Sequence, residues 1–216
     1  MSDIELTKYR QQLLDTLTTH PDDQESRTEL LCADCLICEE NIQDLGPSWR
    51  NTPYLKEILF HARLLLVPEH ADLVYEVCRR AGRTISTHPR IKLQFLCLQR
   101  EAWELIPDTE KEEESTEGQL EQDITHYQSN IAAADRGDFN QILPYGHLKH
   151  DPIEWSAAYE AVIDDAEKKV YDELQDFPRG MGFCHAYWHT LATVLLKDYG
   201  IRWQSPAVMN PRVMFD

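Results

Sequence analysis

Glycine and long apolar runs are scarce in this sequence, and each scarcity excludes a class of protein. With 8 glycines among 216 residues, the chain lacks the composition of collagen-like or flexible low-complexity sequences. Apolar runs such as residues 64–67 are far too short to span a bilayer, which takes about 20 residues. Residues 1–8 do not combine a basic start with an apolar stretch, so we expect no signal peptide and a cytoplasmic location.

Basic residues are also few in comparison with acidic ones. The 38 Asp and Glu residues against 21 Lys and Arg residues give a net charge of −17. Such a surface repels phosphates and anionic lipid headgroups, so we expect no direct binding to nucleic acid or to membranes. The same charge would attract a basic protein partner, although acidity also serves solubility alone. The sequence leaves the oligomeric state open.

Apolar residues recur at helical spacing along most of the chain, and Pro or Gly residues separate these stretches. We predict five helices within residues 1–107, with short connections that favour a helical bundle or stacked helical hairpins. Further helices are predicted over about residues 120–134, 151–174 and 183–199. Residues 201–216 hold Pro206 and Pro211 among apolar side chains, which predicts an extended tail strapped over the core. The expected fold class is all-α.

One acidic stretch, residues 108–118, divides the predicted helices into two groups. It holds six acids against one lysine and no apolar side chain, as is typical of a solvated loop or linker. We therefore predict a helical bundle over residues 1–107, an acidic linker or loop over 108–118, and a C-terminal helical unit over 119–216. Separate domains remain an open alternative to one continuous body.

Four of the nine histidines fall in residues 145–216, which also hold 11 of the 20 aromatic residues. His185 and His189 are four residues apart on a predicted helix, so both side chains lie on one face and could share a divalent metal such as zinc or manganese. His147 and His150 lie in a preceding loop that could fold over this face. Ordinary hydrogen-bonded histidines explain the same spacing, and the helix lacks the glutamate of a His-Glu-x-x-His motif.

The turn that enters the last predicted helix is a second candidate site. Gly180 and Gly182 would let backbone amides approach a phosphate or carboxylate, and the Arg179 guanidinium could add further donors. A Gly-x-Gly pair is equally typical of a short turn between packed helices.

Two other clusters favour structural roles. Cys32, Cys35 and Cys38 are spaced by three on a predicted helix without nearby Gly or Pro, which favours buried thiols over a metal or iron–sulfur centre. The basic residues Arg79 and Arg80 end a predicted helix, where positive charge stabilises the negative pole of the helix dipole.

Two hypotheses for function follow. The first is a non-enzymatic acidic interaction or regulatory protein that binds a protein partner, for example a basic protein that it neutralises. Aromatic residues of the last third would anchor the contact. The alternative is a metal-dependent hydrolase of a phosphate- or carboxylate-bearing substrate, in which the four histidines hold the metal and the Arg179 turn binds the anion. The enzyme hypothesis lacks an identifiable general base.

Overall fold

The computed structural model describes residues 3–43, 46–107, 114–144 and 146–215, and these residues contain helices but no β-strand. This confirms the all-α prediction. The described α-helices are α1 (Asp3–Thr19), α2 (Gln24–Asn41), α3 (Asn51–Leu64), α4 (Ala71–Arg83), α5 (Pro89–Leu105), α6 (Glu114–Asp135), α7 (Ala157–Glu160), α8 (Ile163–Glu173), α9 (Phe183–Tyr199) and α10 (Pro206–Met209). None of the described helices is long and apolar enough to cross a membrane.

Proline and glycine set several helix ends, as the sequence predicts. Pro89 begins α5, and Pro68 begins a short 3-10 turn before α4. Gly200 ends α9 with φ of +69°, a left-handed conformation that a side chain would disfavour. The predicted helices of residues 1–107 therefore have the expected number and approximate positions.

The prediction of one continuous helix over residues 151–174 is wrong. A 3-10 turn (Pro152–Trp155), α7 and α8 take its place. Asp151 caps the first turn by accepting from the Ile153 amide at 3.0 Å, as its sequence context predicts. Ser156 is extended (ψ 146°) and its hydroxyl oxygen caps α7 by accepting from the Tyr159 amide. A side chain that satisfies local backbone amides competes with helix continuation, which explains the break.

The chain divides into two compact units: unit 1 comprises residues 1–86 and 90–125, and unit 2 comprises residues 87–89 and 126–216. The dividing point falls inside α6. The acidic residues 108–113 of the predicted linker lie outside the described residues, whereas residues 114–118 belong to α6. Two separate domains joined by an acidic linker therefore stay a prediction.

The core of unit 1 is formed around α2, which packs against α1, α3 and α4. Fully buried side chains from α2, α3, α4 and α5 meet there, including Leu31, Ile58, Val74 and Phe95. Removal of this apolar surface from water is the main stabilising contribution to such a core.

The core of unit 2 lies between α8 and α9. Ile163, Ala166 and Val170 of α8 pack with Leu191 and Leu195 of α9. These positions recur every three to four residues, so each helix presents one apolar stripe to its neighbour.

Candidate functional site

The histidines of the predicted metal site make separate contacts within unit 2. His150 Nδ1 lies 3.3 Å from a carboxylate oxygen of Glu154, and this hydrogen bond raises the pKa of His150 above its ordinary value. His185 Nε2 lies 3.2 Å from the carbonyl oxygen of Phe215, and its ring meets that of Trp188 edge to face. Each of these two imidazoles thus has a protein partner other than a histidine.

The other two histidines, His147 and His189, are solvent-exposed. Within the described parts of the chain, no group of three or more His, Cys, Asp or Glu side chains is arranged to hold a metal ion. A metal that uses all four histidines would require these side chains to converge, so the metal site stays a prediction without geometric support.

The glycine turn before α9 is closed by hydrogen bonds that the carbonyls of Gly180 and Gly182 accept. Gly182 precedes α9 with φ of +84°, a left-handed conformation suited to glycine. The Phe183 amide donates to the Gly180 carbonyl at 3.0 Å, and the His185 amide donates to the Gly182 carbonyl at 3.1 Å. These contacts are those of a tight turn, and anion binding by Gly180 and Gly182 stays a prediction.

Arg179, the third member of the predicted cradle, stacks on aromatic rings. The centre of its guanidinium lies 4.7 Å from the ring centroid of Tyr171 and 5.7 Å from that of Phe183. Cation–π contacts of this kind hold the arginine against the aromatic faces of α8 and α9. The side chain thereby stabilises the α8–α9 connection.

The same connection exposes apolar side chains. We call Glu173, Asp176, Phe177 and Met181 the acidic–apolar loop. Met181 is 94% exposed and Phe177 is 46% exposed, while both carboxylates are open to solvent. The Phe177 ring lies 6.2 Å from that of Phe183 at the start of α9, which orients the loop without covering it. The loop therefore presents apolar surface and negative charge together.

The end of the chain brings a second exposed methionine to the first turns of α9. Phe215 meets the Trp188 ring edge to face at 5.1 Å, and its carbonyl lies near His185. Met214, the preceding residue, is 94% exposed. Met181 precedes α9 by two residues, so both methionines lie near the N-terminal end of this helix.

The predicted strapping of the tail is confirmed for residues 203–210, which we call the tail strap. Trp203 is buried and donates from Nε1 to Glu154 at 2.7 Å. The Gln204 amide donates to Asp151 at 2.7 Å. Asn210 pairs both ways with the backbone of Lys149, accepting from its amide at 2.9 Å and donating to its carbonyl at 2.8 Å. A short α-helix, α10, interrupts the predicted extended conformation.

Cys35 and Cys38 confirm the sequence interpretation of buried thiols, whereas Cys32 is only partly buried. Cys35, Cys38 and Cys78 are fully buried in the core of unit 1, and all six cysteines are free. Burial raises the pKa of Cys35 to about 12 and raises those of Cys38 and Cys78 as well. These thiols are therefore protonated at neutral pH and poor nucleophiles or metal ligands.

The basic residues around the end of α4 make structural contacts. Arg80 pairs with Glu39 of α2 through two hydrogen bonds, at 2.9 Å and 2.6 Å. Lys92 Nζ donates to the carbonyl of Gly82 at 2.7 Å, close to the C-terminal end of the helix. The positive charge at this helix end thus comes from Lys92, whereas Arg79 and Arg80, the residues expected to supply it, pair with Glu76 and Glu39.

Sequence reasoning missed a partly buried ion cluster in unit 1. Arg10 of α1 pairs with Asp34 of α2 and with Glu57 of α3. Asp34 has no exposed surface, and burial raises the pKa of its carboxyl to about 6 despite the guanidinium beside it. An Asp at a buried position of an apolar helix stripe was the only available signal, and its partner could not be assigned from spacing.

Comparisons with known proteins do not extend this description. No protein-family model, no curated protein and no solved structure matches the chain.

Proposed function

We propose that this protein is a non-enzymatic interaction protein whose acidic–apolar loop binds a basic protein partner. The observation that carries the proposal is the 94% exposure of Met181 in the same short segment of chain as the exposed Glu173 and Asp176. This short segment thus combines an apolar side chain, whose burial in a complex is favourable, with negative charge that selects a basic partner.

Methionine suits a docking role because its unbranched thioether adapts to partners of different shape. Phe177 adds a more rigid apolar anchor, since its ring already lies against Phe183. An aromatic ring held in place before binding loses less conformational freedom in the complex. Met214 extends the apolar surface near the same end of α9.

The net charge of −17 acts at longer range than these contacts. It would raise the association rate of a basic partner and would repel acidic ones, most strongly at low ionic strength. The free thiols would suit a reducing compartment such as the cytoplasm as the site of this interaction.

A defined basic probe tests the proposal. We expect an amphipathic Lys/Leu peptide of about 18 residues to bind the wild-type protein, measured by fluorescence anisotropy. Phe177→Ser/Met181→Ser should weaken binding about 10-fold or more, because it removes the apolar anchors. The matched control is Leu196→Ser/Val208→Ser, which changes two exposed apolar residues elsewhere in unit 2. Neither variant alters the net charge.

Equal affinity of the wild-type protein and both variants would show that charge alone attracts the peptide, and would overturn the proposal. The alternative, a metal-dependent hydrolase that uses His147, His150, His185 and His189, has no specific structural observation in its favour. Elemental analysis would test this alternative. Stoichiometric metal in the purified wild-type protein, lost in the His185→Ala/His189→Ala variant, would support the hydrolase.

A further inference from the structure

A groove of about 430 Å³ lies on unit 1 between α3 and α5. It is formed by one face of α3 and by a polar side chain of α5, and its volume is within the range of ligand and peptide sites. The lining residues are Lys56, Leu59, Phe60, Arg63, Leu64 and Gln94.

The floor of the groove is apolar and open to solvent. Phe60 is 61% exposed and Leu64 is 52% exposed, and their spacing of four residues puts both on one face of α3. Leu59 beside them packs against the core of unit 1. The groove is therefore backed by a fixed core, while its two largest apolar side chains remain available to a partner.

The charges of the groove oppose the charge of the whole chain. Both ionisable lining residues, Lys56 and Arg63, are cationic in a protein with a net charge of −17. Arg63 pairs with Glu101 of α5. Within the described residues, no carboxylate forms an ion pair with Lys56, whose side chain is exposed. Lys56 thus presents a positive charge that no carboxylate of the described residues pairs with, one turn before Phe60.

We propose that this groove binds an amphipathic helix that carries acidic residues beside its apolar stripe. Phe60 and Leu64 lie one helical turn apart. An amphipathic partner helix, whose apolar residues recur every three, four and seven positions, can contact both at once. A carboxylate of the partner would pair with Lys56, and its polar flank would meet Gln94. A partner strand is less suited, because the described residues offer no strand edge for backbone pairing.

This second surface is independent of the acidic–apolar loop and selects the opposite charge. The protein would then join a basic partner, bound by unit 2, to an acidic amphipathic partner, bound by unit 1. The two proposals can fail separately, because one set of anchor residues lies on α3 in unit 1 and the other in the α8–α9 connection of unit 2.

Designed peptides of equal length test the groove. A Glu/Leu amphipathic helix should bind more tightly than its Gln/Leu analogue, because only the former offers a carboxylate to Lys56. Phe60→Ser/Leu64→Ser should weaken binding of the Glu/Leu peptide about 10-fold or more. Lys56→Glu should remove the preference for Glu/Leu over Gln/Leu. The Lys/Leu peptide should bind both variants as it binds the wild-type protein, or more tightly after Lys56→Glu.

Matched controls exist in unit 1. Leu36→Ser/Ile42→Ser changes two apolar residues of comparable exposure outside the groove, and Lys8→Glu makes the same charge change on α1. Thermal unfolding should show all these surface variants to be folded. Unchanged affinity in the Phe60/Leu64 variant, or equal losses in the controls, would overturn the proposal. Concentration-dependent self-association that disappears only in the Phe60/Leu64 variant would also overturn it, since a second copy would then be the occupant.

Discussion

Glu154 accepts a hydrogen bond at 2.7 Å from the indole nitrogen of Trp203, which joins the tail strap to the 3-10 turn before α7. Trp203 is buried, and its ring packs in the core formed by α8 and α9. A residue near the end of the chain therefore completes the core of unit 2 and satisfies a largely buried carboxylate at the same time.

Replacement of Trp203 by Phe tests this relationship. Phe retains most of the apolar volume but cannot donate to Glu154, so we expect a loss of about 2 kcal/mol of stability, the usual range for a hydrogen bond to a charged group. Thermal or denaturant unfolding measures the loss. Val208→Ser is the control, because Val208 lies on the same strap but is exposed. Equal stability of the Phe variant and the wild-type protein would show that the contact contributes nothing.

The His150–Glu154 pair predicts a pH dependence of the same region. Since the hydrogen bond to Glu154 raises the pKa of His150 in the folded state, protonated His150 stabilises the fold. This contribution is fully present below the unfolded-state pKa and is lost as pH rises through the folded-state pKa. The difference in melting temperature between the wild-type protein and His150→Gln should therefore shrink with rising pH. A difference that is constant or grows with pH would contradict the assignment.

Asp34 predicts a pH effect in unit 1. Its folded-state pKa of about 6 lies above the ordinary value of 3.8, so the folded state holds the proton more tightly. Relative to Asp34→Asn, the wild-type protein should gain stability as the carboxyl becomes protonated, and it should lose this advantage as pH rises through about 6. The gain should be on the order of 2–3 kcal/mol in urea unfolding. The opposite sign would show that the Arg10 charge outweighs burial.

The buried thiols predict slow alkylation. Cys35, Cys38 and Cys78 should resist iodoacetamide in the native protein at neutral pH, because burial both blocks access and raises the pKa of each thiol. Mass spectrometry of labelled peptides would compare them with Cys32, Cys97 and Cys184, which are only partly buried. Rapid native-state labelling of all three buried cysteines would contradict their place in the core.

The fold was predictable from sequence where local signals agree. Proline starts, glycine ends and apolar spacing place α1 to α5 and α9 close to their observed positions. The interruption at Ser156 was not predictable from periodicity, because the apolar spacing continues through it while the Ser156 hydroxyl caps α7. A second break, at residues 161–162, separates α7 from α8. Local side-chain hydrogen bonds therefore set boundaries that hydrophobic patterns miss.

The candidate site was less predictable from the sequence than the helices were. Sequence reasoning selected the aromatic-rich last third and the residues 179–182, where the structure places the exposed Met181. The pairing of Arg10 with Asp34 depends on the packing of whole helices. His150 instead pairs locally with Glu154, four residues along the chain, and not with another histidine. Spacing along one helix shows which residues share a face, but it does not show which side chains of other elements contact that face.

The most direct test of the central claim is hydrogen exchange of the protein with and without the Lys/Leu peptide, read residue by residue. The account predicts slower exchange in the acidic–apolar loop and around Met214, with little change in the α3–α5 groove. Protection spread evenly over exposed acidic segments, or protection that leaves the loop unchanged, would contradict a specific docking site and leave only non-specific charge attraction.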